Sequence, residues 1–426
     1  MFSNSKRLFA IAALLLTLPV MAHAQTSRVE GMSLNGDYIK DYTAIYGWPS
    51  SITNVGNLVY GEFGNSNFPK GSYDRGVGAV LGNLWDGRFG TWGIHMHEIT
   101  PDLAQGDVNN GTDPNTNNNQ SFDLMWGKKL SNMNLGLRLN RSFYKTETTE
   151  PGVSTTLEAD PTVADQNLGR NIWGFGGGLG FELNPQSNLE LSVLYQSRTF
   201  LNENNTGVAG TSTRTEDDGN TAYNIGARLM WQWTSNTVVT PVFRWYSYDL
   251  GTKSNNLGVV SNTDNSWKGW SLGLAGNWTL GSNDLFVLGG TLANNTIEQQ
   301  YDVLGITPAG FSANGKFTES MYPQIFGALE THVNSWLTLR FGANSGAFTH
   351  VKYEEVAGGT GAGGALRTQE ISSAPFNMNL GAGVKVGTLQ FDAILADNFY
   401  QNLGWIGSGN AQGGGYFPKV TATYSF

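Results

Sequence analysis

The sequence predicts an all-β fold: a transmembrane, antiparallel, up-and-down β-barrel of about 16 strands. Short turns lie at one end and long loops at the other. Three observations carry this. The first is residue alternation. Leu135, Leu137 and Leu139 oppose Asn134, Gly136, Arg138 and Asn140. Tyr223, Ile225, Ala227, Leu229, Trp231 and Trp233 oppose Asn224, Gly226, Arg228 and Gln232, and Leu389, Phe391, Ala393 and Leu395 oppose Gln390 and Asp392. Successive strand side chains point to opposite faces, so each segment presents one apolar and one polar surface. The second is the spacing of connections, which are short and long in turn. The third is composition: 56 Gly and 13 Trp, but only 14% charged residues. A soluble surface carries more charge, whereas a barrel strand turns half its residues to lipid, consistent with a mean hydropathy of only -0.27.

The elements follow in order. Lys6 and Arg7 precede an apolar run from Leu8 to Met21, then Ala22-His23-Ala24. That pattern describes a signal peptide over residues 1–24, cleaved after Ala24. The run is short of the roughly 20 apolar residues that a spanning helix needs. Residues 25–56 form a periplasmic or lumen-plugging lead-in, and residues 57–426 the barrel. Short turns are expected at Asp86-Gly87, Ser131-Asn132, 184–187, 234–236, 281–284, Asn334-Ser335 and Gly387, where Gly, Asn, Asp and Ser suit tight hairpins. Long loops are expected at 66–74, 98–119, 146–168, 201–219, 251–263, 299–317, 355–367 and 401–413. Seven turns and eight loops make 16 strands with the asymmetry of an outer-membrane barrel. Trp85, Trp173, Trp231, Trp233, Trp270, Trp278 and Trp336 fall near segment ends, where an interfacial girdle belongs.

Several classes are disfavoured. The chain has no Cys, so no disulfide framework holds it. Its formal charge is -9, and removing Lys6 and Arg7 makes it -11, which argues against nucleic acid as a partner. No Gly-x-Ser-x-Gly elbow or evident Ser, His and Asp arrangement points to an enzyme, and no cofactor is expected.

The last residues, Lys419 to Phe426, alternate without a break, with Val420, Ala422, Tyr424 and Phe426 on one face. This strand resembles the closing strand of porin-like, Gram-negative outer-membrane β-barrels. The resemblance implies that Tyr424 and Phe426 form an assembly signal for the barrel-assembly machinery. It also implies outer-membrane lipids and lipopolysaccharide as surroundings, and a homotrimer by analogy with 16-stranded porins.

Lumen parity selects candidate pore-lining residues: Arg138, Arg198, Arg228, Arg244, Arg340, Lys385 and Lys419, with Asp123, Glu182, Glu190, Glu330 and Asp392. Charges in a watery lumen stay solvated and bias which ions pass, or they pair and brace the wall. The inner face reads as Gly, Asn, Ser and Thr with scattered Arg, too small to close the passage. Gly174, Gly176, Gly178 and Gly180 form a bare stripe that either widens the lumen or supports a plug. The acidic segment from Glu147 to Asn167 reads as a solvated outer loop and resembles, by its order alone, the constricting third loop of general porins. Asp107, Asn109 and Asp113 are weak calcium candidates, with Gly111 one residue early for an EF-hand-type loop. His95 and His97 share a face but lack a clear third metal ligand.

Arg28 to Tyr38, then Asp41 and Ile45-Tyr46-Gly47-Trp48-Pro49, is similar to the start of the fatty-acid transporter (FadL-like) family. There an Arg/Gly/Met-Gly stretch leads, after an Asp, to Asn-Pro-Ala, and the segment plugs a barrel of about 14 strands. Here Gly47-Trp48-Pro49-Ser50 stands at that place, and only the Pro carries over. The sequence favours a channel for passive diffusion of small polar solutes or ions. The alternatives are a plugged transporter of hydrophobic compounds, as the resemblance implies, and a structural or adhesive surface barrel. A deeply inserted, sealing N-terminal segment would favour the transporter.

Overall fold

The structure is a computed structural model that describes residues 27–64, 76–82, 87–97, 120–151, 163–205, 213–249, 251–256, 258–281, 283–300, 307–308, 311, 314–355, 367–374, 376–396 and 419–426. The expected signal peptide, Trp85, and the calcium candidates Asp107, Asn109 and Asp113 lie outside these residues.

A short helix, α1 (Ser27–Glu30), and two 3₁₀ helices (Tyr42–Tyr46 and Pro49–Asn54) precede the sheet. The first strands are β1 (Leu58–Gly64), β2 (Gly76–Leu81), β3 (Thr91–His97) and β4 (Gln120–Leu130). Three long strands follow, β5 (Met133–Pro151), β6 (Val163–Asn184) and β7 (Ser187–Asn205). Next come β8 (Thr213–Asp217), β9 (Thr221–Thr234), β10 (Thr237–Asp249), β11 (Thr252–Asn256), β12 (Val259–Thr263) and β13 (Ser266–Leu280). Then β14 (Asp284–Gln299), β15 (Gly315–His332), β16 (Leu337–Gly346) and β17 (Thr349–Glu355) lead to β18 (Thr368–Ser373) and β19 (Phe376–Val386). The last are β20 (Leu389–Ala396) and β21 (Lys419–Ser425).

All pairings are antiparallel, and β21 pairs with β1 to close the sheet. Five strands carry a local break, so that β8 continues into β9, β10 into β11, β12 into β13, β16 into β17 and β18 into β19. The described residues therefore form a closed barrel of 16 strands. Closure leaves no edge through the hydrocarbon, where unpaired backbone groups could not be tolerated. The tight turns at Ser131-Asn132, 184–187, 234–236, Asn334-Ser335 and Gly387 fall where the sequence places them, while Asp86 and Ser282 lie outside the described residues. Ser131 and Gly387 take left-handed conformations there (φ 54° and 63°), which a hairpin of one or two residues requires.

The strands run farther outward than the sequence suggests. Residues 146–168 are not one long loop: Glu147 pairs with Asn167, and pairing continues to Pro151 opposite Val163. Residues 251–263 likewise form a β11–β12 hairpin, with Gly258 at φ +83°. Both stretches are rich in Thr and Asn. Their polarity suggests loops, but Thr is a good strand former, and each pair adds backbone bonds that need no apolar face.

The barrel is apolar outside and polar within. Leu137, Val193, Leu272, Leu274, Ile325 and Leu339 are exposed, while Asn134, Asn140, Ser142, Asn224 and Thr240 are buried. Trp231 stacks on Trp233 (5.4 Å between rings), and Trp278 lies 5.6 Å from Phe286, all beside the short turns. Trp173, Trp245 and Trp270 face outward farther up the wall. The two aromatic tiers border the apolar band, as the girdles of a membrane barrel do. This surface fits a bilayer, and the described residues have the fold of a transmembrane β-barrel. Circular dichroism of detergent-extracted protein should show a β spectrum; a helical spectrum or a water-soluble monomer would contradict this.

Candidate functional site: a lumen filled by the N-terminal segment

Residues 27–56 lie inside the barrel. Asp41 caps the first 3₁₀ helix by accepting from the Thr43 backbone N–H (3.0 Å), and Pro49 opens the second, where its missing N–H costs nothing. These local signals fold the segment into short turns rather than a strand. Val29, Met32, Ile45, Tyr46, Trp48 and Ile52 are buried to within a few per cent.

The segment is held on several sides by charge. Asp37 receives two bonds from Arg244: Nε donates to Oδ2 at 2.8 Å and Nη2 to Oδ1 at 2.5 Å. Arg228 donates to Glu190 across the β7–β9 pair and to the Gly36 and Asp37 carbonyls (3.3 and 3.0 Å). Ser51 Oγ donates to the same Glu190 at 2.6 Å. On the β4–β5 wall, Arg138 binds Asp123 (2.7 Å) and the Tyr46 carbonyl (2.8 Å). On the opposite wall, Arg28 makes a two-bond contact with Glu330, both at 2.8 Å, and reaches Asp41 at 3.2 Å. Arg340 binds Glu330 at 2.6 Å and Asp392 at 2.7 Å, while Lys419 pairs with Glu30 at 2.9 Å. Burial disfavours the Arg28 charge, but Glu330 and Asp41 outweigh it and raise its pKa above the ordinary guanidinium value.

Trp48 is the centre of this arrangement. Its ring meets the Arg228 and Arg244 guanidinium groups (4.7 and 4.4 Å to the ring centroid), and its indole N–H donates to Asp37 Oδ1 at 2.8 Å. One side chain thus ties two wall arginines to one carboxylate of the inserted segment.

Glycine makes the room. A Cβ at Gly136 would stand 2.1 Å from the Pro49 carbonyl, and one at Gly178 2.6 Å from the Ser50 nitrogen. Part of the Gly174–Gly180 stripe is therefore a wall for the inserted segment. A Cβ at Gly342 would lie 1.7 Å from the Met32 carbonyl oxygen. Gly342→Val should unseat the segment without touching a charge. Trypsin cleavage after Arg28 and Lys40 should rise several-fold over the parent; equal cleavage would show that the contact is dispensable.

The candidate residues divide by position. Arg138, Arg228, Arg244, Arg340, Asp123, Glu190, Glu330 and Asp392 are brought together around the segment, buried and paired. Arg198 is half-buried higher on β7, and Lys385 is exposed at the turn end. Glu182 keeps the inward parity of Gly178 and Gly180 but stands exposed at the turn-end rim, paired with Lys129 (2.5 Å). His95 is fully buried, its Nδ1 2.6 Å from the Tyr60 hydroxyl, which in turn meets Tyr46 at 2.5 Å. No cluster of three metal-ligating side chains occurs among the described residues. Sequence parity missed Arg28, Asp37, Asp41 and Trp48, because one helical turn and the irregular turns after it are too short to show a period.

The expectation of a lumen free of large apolar groups is corrected. Tyr246, Tyr248, Trp267, Ile297, Phe317, Val351 and Tyr353 point inward and form a buried cluster on the loop side of the inserted segment. On β10 the aromatics occur on both faces, with Phe243 and Trp245 outward and Tyr246 and Tyr248 inward, so alternation by polarity does not reveal them.

Two cavities of about 770 Å³ each open at the turn end, sharing Lys40, Asp41, Tyr42 and Leu58. One extends to Trp336, Lys385 and Asp392, the other to Glu182, Gln186 and Gln232.

No family model matches the chain, and no curated protein matches it. Solved structures with a similar fold include the copper transporter OprC, at 12% identity and a TM-score of 0.41, matching 80% of this chain and 60% of that longer one. The Pseudomonas putida toluene transporter TodX matches at 11% identity over 94% of this chain and 95% of its own (TM-score 0.38). A Pseudomonas aeruginosa FadL homologue matches at 10% identity over 95% and 99% (TM-score 0.38).

Proposed function

We propose that this barrel is a plugged transporter of hydrophobic compounds rather than an open diffusion pore. The observation that carries the reading is the seating of residues 27–56 in the lumen, bonded to walls on opposite sides. An open pore leaves its lumen charges in water, whereas here the inward arginines are sequestered in pairs. The inward aromatic cluster adds support, since it offers an apolar solute a surface that a water-filled pore lacks.

The chain has no cysteine, so an engineered pair can lock the segment. Ser27 Oγ and Thr421 Oγ1 lie 2.9 Å apart. In cells expressing the double variant S27C/T421C, entry of the apolar dye N-phenyl-1-naphthylamine should fall several-fold on oxidation and recover with reductant. Rapid passage of small sugars through the parent protein, with no effect of the lock on the dye, would overturn the proposal.

A further inference from the structure

Among the described residues, the wall charges that hold the inserted segment have an opposite charge beside them. Glu319, on the same inner face, does not. It is 2% exposed, it accepts from the Asn295 amide (Nδ2 donating, 2.9 Å), and no Lys, Arg or His among the described residues pairs with it. Register places it in a ring around the inner wall. Tyr246 lies opposite Gly269, Gly269 opposite Asn295, Asn295 opposite Glu319, and Glu319 opposite Val351. One step toward the loops, the same strands present Tyr248, Trp267, Ile297, Phe317 and Tyr353. One step toward the turns, Arg244 is already satisfied by Asp37. The carboxylate therefore sits between the inserted segment and an aromatic collar.

The collar is built rather than incidental. Tyr246 donates to Asn295 Oδ1, which leaves the Asn295 amide to face Glu319. Trp267 meets Tyr246 edge-on at 5.9 Å and Tyr248 at 5.5 Å. A Cβ at Gly269 would stand 2.4 Å from the Tyr246 hydroxyl, and one at Gly315 2.4 Å from that of Tyr353. Glycine at both places lets the tyrosines stand in the lumen.

A buried carboxylate with a single amide donor is costly, and a cation beside it removes that cost. Aromatic faces attract the same cation and accept the apolar body attached to it. We infer that Glu319 and the aromatic collar select solutes that join a permanent or protonated ammonium to an apolar body, and disfavour anionic ones. The inference rests on the transport reading and names the charge class of its substrate.

Proteoliposomes carrying the full chain should take up radiolabelled benzyltrimethylammonium at least tenfold faster than benzenesulfonate. Glu319→Gln, nearly isosteric, should cut that ratio about tenfold. Glu319→Asp, which keeps the charge, should retain most of it, and Trp267→Leu should lower cation uptake several-fold. An unchanged ratio in Glu319→Gln, or a parent that prefers the sulfonate, would overturn the inference. Dye entry through the parent chain, measured alongside, separates the two readings: with dye entry and no cation preference only the selectivity fails, and with neither the transport reading fails as well.

Discussion

Arg228→Met should destabilise the closed lumen by about 3–5 kcal/mol, the usual effect of leaving one member of a buried ion pair without its partner. Arg228 is almost wholly buried and serves five groups at once: Glu190, the Gly36 and Asp37 carbonyls, the Ser51 hydroxyl and the face of Trp48. Methionine keeps much of the volume but leaves the Glu190 carboxylate with only Ser51 and the longer Ser50 contact. Thermal unfolding in detergent, read by the gel shift between folded and heated forms, should move to a markedly lower temperature. The companion variant Glu190→Gln/Arg228→Met should recover much of the loss, because the stranded charge is then gone. Equal destabilisation in the single and double variants would mean that the arginine acts through packing alone.

The second large effect concerns assembly. Deleting Phe426 should reduce the amount of folded protein in the outer membrane at least tenfold, whereas Ser425→Ala should leave it near the parent level. Phe426 is exposed on the outer surface, stacks on Tyr424 at 5.8 Å, and its backbone N–H donates to the Asn57 carbonyl at 3.2 Å. It thus sits on the seam where β21 meets β1. Placing one such ring in lipid is worth roughly 1.5–3 kcal/mol, and the backbone bond fixes the register of closure. Similar membrane yields for the two variants would count against a special role for this residue.

The barrel itself was legible in the sequence because its periodicity is set by the bilayer. Leu135, Leu137 and Leu139 must face lipid while Asn134, Arg138 and Asn140 must not, and the two-residue period survives in the text. The tight turns were legible through Gly, Asn and Ser chemistry. The outward reach of β5, β6, β11 and β12 was not, since above the membrane both faces are polar and strand and loop look alike. Among the lumen charges, parity correctly set Arg138, Arg228, Arg244 and Arg340 on the inner face. It could not say whether they meet water or partners, because Arg28 lies in a single helical turn and Asp37 and Trp48 in irregular turns, none long enough to show a period. Glu182 keeps that parity to the end of β6, where it meets solvent and Lys129 at the rim rather than the inserted segment. Glu319 escaped notice because Lys316, Thr318 and Ser320 around it read as an ordinary polar strand.

Closure of the lumen by residues 27–56 is the claim on which the rest depends. Single-channel recording in planar bilayers tests it directly. The intact protein should give no steady, salt-scaled steps of general-porin size. Variants that loosen the seat, Gly342→Val and Trp48→Ala, should open frequently, and removal of residues 27–54 should give stable steps whose size follows salt concentration. Steady open steps of equal size in the intact protein and in the truncated one would contradict the account.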